Sequence, residues 1–197
     1  MAEFAQGKIK ASECPIAFYT EGEPFQNEYP NGQTFEAALR QYWAGGGVVV
    51  FASWQPWPLY RNLDTGETGW SKKIGLTLAN GDQGEGKRGF ESRPEEGLVF
   101  RDTKAGAEEP FPTQGEQRFR PSFAPDGAEG LEYQAWLTVF GPSGRRYGDA
   151  LSRYHYRSGP CTPAKMIYAW TGLWNTGDPT KRCQDILEKA REFAAES

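Results

Sequence analysis

The spacing of apolar positions changes sharply between Phe35 and Phe51. Phe35, Leu39 and Trp43 fall at i, i+4 and i+8, and Ala38 and Tyr42 widen the same stripe. That spacing predicts one face of an amphipathic helix, with Thr34 as its N-cap. Gly45, Gly46 and Gly47 follow, and glycine enters the left-handed conformation of a helix end without a Cβ penalty. Val48, Val49, Val50 and Phe51 then run without alternation, which predicts a strand covered on both faces, as in parallel sheets. Upstream, Pro15–Thr20 reads as a first strand closed by Glu21-Gly22-Glu23-Pro24. Strand, helix and strand make a βαβ unit with a right-handed crossover. In open α/β sheets ligands sit beyond the carboxyl ends of the strands, which marks loops 21–33 and 53–70.

The pattern breaks down over residues 60–130. Glycine, proline and charge punctuate this stretch, as in Asn80-Gly81-Asp82-Gln83-Gly84-Glu85-Gly86. Apolar pieces at 74–78, 97–100 and 119–123 predict about two short strands within an irregular insertion. Regular structure resumes at Leu131. Residues 131–140 read as a strand rich in aromatic and β-branched side chains, followed by a Gly141-Pro142-Ser143-Gly144 turn. Residues 149–157 read as strand or short helix, and 164–170 as strand. Asp178-Pro179 opens a terminal helix, with Asp178 as N-cap and an apolar stripe of Cys183, Ile186, Leu187, Ala190 and Phe193.

Composition narrows the function classes. A formal net charge of -4 excludes a general nucleic-acid binder, which would show a basic face. No apolar run approaches the roughly 20 residues of a membrane span. The N-terminal residues lack a basic and apolar leader, which predicts a cytoplasmic protein unless the chain is a fragment. Cys14, Cys161 and Cys183 have no metal-like spacing and are odd in number, so they are expected as buried or half-buried thiols. Seven Trp, nine Tyr and twelve Phe alongside 24 Gly predict a compact scaffold with long ordered loops rather than disorder.

Catalytic chemistry is thinly represented. His155 is the single histidine and sits in Arg153-Tyr154-His155-Tyr156-Arg157, a setting that favours structural hydrogen bonding over a triad. Ser53 follows the buried strand, but Trp54, Gln55 and Pro56 replace the small residues of a nucleophile elbow. Glu21 and Glu23, with Asp64 and Glu67 after the second strand, offer carboxylates of the kind glycoside hydrolysis uses. No ligand set for a metal and no P-loop is present, so no cofactor is expected. Trp54, Trp57 and Tyr60 have two roles open to them: stacking on a sugar or gripping a partner, and covering the sheet edge. Arg61, Arg118 and Arg120 read as partners for the abundant carboxylates.

The segment Leu39-Arg40-Gln41-Tyr42-Trp43-Ala44-Gly45-Gly46-Gly47-Val48-Val49-Val50 resembles the helix and central strand of the class I glutamine amidotransferase-like superfamily. Ala164–Trp170 is similar to the final strand of its non-amidotransferase branches, such as the trehalose-utilisation-like and β-galactosidase trimerisation domains. The likeness covers residues 15–58 and 150–195. It implies a flavodoxin-like three-layer α/β sandwich with a mostly parallel central sheet, here a single domain over 1–197 with 60–130 inserted. Amidotransferases of the family carry a Cys in a glycine elbow and a late His-x-Glu. Ser53 without flanking glycines, and His155 outside such a motif, imply a non-catalytic member. The expectation is therefore a ligand- or partner-binding domain associated with carbohydrate-processing proteins. Glu21, Glu23, Ser53, Trp54, Trp57, Tyr60 and His155 are its candidate contacts. Two alternatives stand beside it: a hydrolase using Ser53 with His155 or a Glu pair, and an assembly subunit, such as a homo-oligomer, using its aromatic loops.

Overall fold

The computed structural model describes residues 8–19, 32–53, 59–61, 68–70, 95–112, 119–122, 129–159 and 161–196. In chain order these form β1 (Ile16–Tyr19), α1 (Gly32–Ala44), β2 (Val48–Ser53), β3 (Leu59–Arg61), β4 (Thr68–Trp70), β5 (Val99–Asp102) and β6 (Glu108–Pro110). Then come β7 (Leu131–Phe140), β8 (Arg146–Tyr156), β9 (Lys165–Trp170), a short 3-10 helix (Thr171–Asn175) and α2 (Pro179–Ala195). Seven strands build one sheet in the order β1-β2-β9-β8-β7-β5-β6, and β3 pairs with β4 as a separate hairpin.

The βαβ unit forms as its pattern predicts, with β1 and β2 parallel and Ile16 facing Val48 in register. The helix starts at Gly32, so Thr34 lies inside it rather than at its cap. Two of the three glycines at its end have separate duties. Gly46 takes a φ of 87°, in the left-handed region. Gly47 leaves room for the Tyr42 ring, which a Cβ there would meet at 2.2 Å. Tyr42 in turn donates its hydroxyl to the Cys14 carbonyl at 2.6 Å, tying α1 to the approach of β1.

β2 is the interior strand its apolar run predicts. Val48, Val49, Val50, Phe51 and Ala52 are each no more than 3% exposed. β9 is its other parallel neighbour, with Val50 facing Ile167. Beyond β9 the expectation of a mostly parallel sheet is overturned. β9–β8, β8–β7, β7–β5 and β5–β6 all run antiparallel, so the sheet is mixed. For β7 and β8 the physical cause is the turn at 141–145, where Gly141 donates to Arg145 O and Gly144 to Gly141 O. A tight turn joins antiparallel neighbours only, because a parallel pair needs a long crossover. Residues 149–157, open to either assignment in the sequence, belong to the long strand β8.

Part of the 60–130 stretch joins this sheet. β5 pairs with β7 through Phe100 and Val139, and Ser122 bridges to Asp149. Phe100, Phe111 and Phe119 gather around Trp170, with Phe111 stacked on the indole at 5.1 Å and 17°. Each such ring contributes on the order of 1.5–3 kcal/mol by leaving water. The apolar piece at 74–78 lies outside the described residues.

α2 starts as read, with the Asp178 carboxylate accepting from Thr180 N and Lys181 N at 2.8 and 3.3 Å. Its buried face is Arg182, Ile186, Ala190 and Phe193. Cys183, placed on the apolar stripe by its spacing, is exposed, as is Cys14; Cys161 alone is buried. The stripe turns so that Arg182 is covered instead. No described helix is long and apolar enough to cross a membrane.

Candidate functional site

β1, β2 and β9 run in the same direction, so their carboxyl ends share one edge of the sheet. The register sets Tyr19 beside Phe51, and Ser53 beside Trp170. After Trp170 the 3-10 helix and the Asp178 cap turn the chain back into α2. Between this turn and the end of β6 lies a cavity of about 430 Å³, lined in part by Glu109, Phe111, Asn175, Asp178, Lys181 and Arg182.

The electrostatics of this cavity centre on Arg182, which is 9% exposed. Its Nη2 donates to the Glu109 carboxylate of the edge strand β6. Its Nε is buried and has no hydrogen-bond partner among the described residues. Trp170 Nε1, at the end of β9 and outside the cavity lining, is likewise buried without one among the described residues. A buried donor left unpaired costs roughly 1–3 kcal/mol, so an acceptor brought to Arg182 Nε would be rewarded. Asp178 and Asp185 add negative charge and Lys181 positive, so the lining presents both signs.

A second polar group lies on the face of β8 turned away from α2. Asp149 is fully buried, and Tyr133, Thr138 and Arg146 all donate to its carboxylate, Arg146 at 2.8 and 2.7 Å to its two oxygens. Beside it, the Ser122 hydroxyl bonds to those of Ser152 and Tyr133. Each carboxylate oxygen already accepts two donors, so this group pins residues 119–122 onto the sheet and has no lone pair directed at a substrate. Sequence reading missed it, because residues 119–122 read as part of an irregular insertion. The available signal was an Asp and a Ser three positions apart, flanking the apolar pair Ala150-Leu151.

The residues singled out in the sequence are distributed as follows. Ser53 ends β2, and Tyr60 lies in β3 opposite Gly69. Glu21, Glu23, Trp54 and Trp57 lie outside the described residues. His155 pairs with Lys165, the first residue of β9, whereas Ser53 pairs with Trp170, the last. Five residues of strand separate these positions, about 17 Å. The register therefore sets Ser53 and His155 at opposite ends of the sheet. His155 is 4% exposed, lies edge-on to Phe193 at 5.3 Å, and has a buried Nδ1 without a hydrogen-bond partner among the described residues. Arg120 contributes its carbonyl, which accepts the Tyr168 hydroxyl. Among the described residues no three His, Cys, Asp or Glu side chains are grouped to hold a metal ion.

Fold and site together define an α/β domain with a mixed sheet and a mixed-charge cavity at the carboxyl edge of its parallel strands. Comparison with protein-family models, with curated proteins and with solved structures finds no match.

Proposed function

We propose that this chain is a non-catalytic α/β binding domain that engages a ligand or partner at the carboxyl edge of β1, β2 and β9. The observation that carries the proposal is the cavity lined by Arg182, whose buried Nε has no hydrogen-bond partner among the described residues, at the edge where open α/β sheets receive ligands. The parallel β1-β2-β9 half, with α1 and α2, is the part of the chain that resembles the flavodoxin-like, glutamine amidotransferase-like superfamily. The resemblance points to a carbohydrate-associated role. A lining that offers donors and acceptors of both signs suits a polyhydroxylated ligand. β1 and β2 end at this same edge, and the sequence reading names Glu21, Glu23, Trp54 and Trp57, just after them, as candidate contacts.

The test is calorimetric titration and thermal shift with a panel of mono- and oligosaccharides against the full chain, Arg182→Gln and Trp57→Ala. Saccharide binding that weakens at least about tenfold in either variant supports the proposal. Labelling of Ser53 by a fluorophosphonate probe, with turnover of an ester or glycoside that Ser53→Ala abolishes, overturns it in favour of a hydrolase.

A further inference from the structure

His155 sits at the amino edge of the sheet, where the last turn of α2 is fastened. Lys165 reaches across from β9, and its ammonium donates to the Glu196 carbonyl and to the Phe193 carbonyl, the latter at 3.5 Å. A lysine on the final carbonyls of a helix satisfies acceptors that have no partner within the helix and opposes the negative end of its dipole. Arg153 from β8 binds the Glu196 carboxylate. Its guanidinium also lies over the Phe193 ring at 4.9 Å. His155 packs beneath this fastening, against the same ring.

Charged groups face the imidazole from every described element around it. Glu132 of β7 places a carboxylate oxygen 3.9 Å from Nδ1, and Glu196, following α2, places one at 4.0 Å. Arg157, just past β8, binds Glu132 at 3.1 Å, and Lys165 approaches from β9. Two cations and two carboxylates thus face a buried ring. Both carboxylates are already engaged by arginines and lie beyond hydrogen-bond reach of Nδ1, so a proton there would put a charge on a buried ring with no acceptor for it among the described residues.

We infer that His155 is an acid-sensitive latch: neutral, it lets the end of α2 seat on the sheet, and protonated, it releases that end. Burial, followed by the nearby Arg157 and Lys165 cations, holds its pKa down at about 4 against an ordinary 6.5. The sign follows from linkage. Above pH 6.5 the ring is neutral whether the turn is seated or open. Below that, the open form takes up the proton first, so closure weakens progressively down to about pH 4.

Because His155 is the single histidine, its ring proton resonances are unambiguous in NMR. The test titrates them in the full chain and measures amide exchange over residues 186–196 at pH 7 and 4.5, corrected for intrinsic rates, in wild type and His155→Gln. The expected result is a titration well below 6.5 and protection falling on the order of tenfold or more at pH 4.5 in wild type, with the variant keeping its protection. A titration near 6.5, or protection equal at both pH values, overturns the inference. So does a variant that loses as much protection in acid as wild type, since Glu132 and Glu196 would then be the groups responding. Should His155→Gln fail to fold, the wild-type titration and exchange decide the matter.

Discussion

Single side chains in this protein hold positions that their neighbours leave no freedom to change. Gly47 is the sharpest case. A methyl group there would lie 2.2 Å from Cε1 of Tyr42, whose hydroxyl is committed to the Cys14 carbonyl. Gly47→Ala is therefore expected to lower unfolding free energy by about 2 kcal/mol, by forcing the ring and its hydrogen bond aside. Gly144→Ala meets no atom within 4 Å but sits at a φ of 81°. It should destabilise through backbone strain alone, by about 1 kcal/mol. Urea denaturation of the two variants distinguishes them, because Tyr42→Leu in the same chain should relieve the first and not the second. The three glycines were legible in the sequence as a helix stop. Their separate duties were not, because only the folded register shows which one faces a ring.

Among the elements, those governed by local pattern were the legible ones. α1, β2, β9 and α2 follow from periodicity, glycine placement and a capping aspartate. Sheet direction did not follow, because an unbroken apolar run reports that both faces are covered and says nothing about which way the neighbours run. β2 has parallel neighbours on both sides, while β9 takes the antiparallel β8 as its other in-plane neighbour, and β8 in turn pairs with β7. Cys183 illustrates a smaller error of the same kind. Spacing set a stripe, but packing turned α2 so that the charged Arg182 went inward to meet Glu109. The candidate site was legible as an edge, through the strands that end there, and not as a cavity, since Glu109–Pro112 comes from a stretch without periodicity. The α2 cap is testable by itself. Asp178→Ala should cost about 1 kcal/mol and Asp178→Ser much less, measured by thermal denaturation.

For the molecule as a whole, the buried tyrosines predict an alkaline limit. Burial is the leading cause raising the hydroxyl pKa of Tyr42, Tyr133, Tyr154, Tyr156 and Tyr168 above its ordinary value of 10. The folded form retains these protons where the unfolded chain gives them up, so stability is intact below pH 10 and declines above it. With five such groups, stability should fall steeply between about pH 10 and 11. Absorbance at about 295 nm should then show most tyrosines ionising together with loss of circular dichroism. A gradual titration with the fold intact would contradict this. The strand order also has a consequence in time. β9 lies between β2 and β8, and Val50 must wait for Ile167, more than 100 residues later, before its strand gains a second neighbour. During synthesis β9 emerges more than 100 residues after β2, so the early βαβ unit leaves the ribosome with one edge of β2 open. Pairing over so long a separation is slow, and an open edge invites other chains. A cell making this protein would have to shield that half-built sheet until β9 arrives.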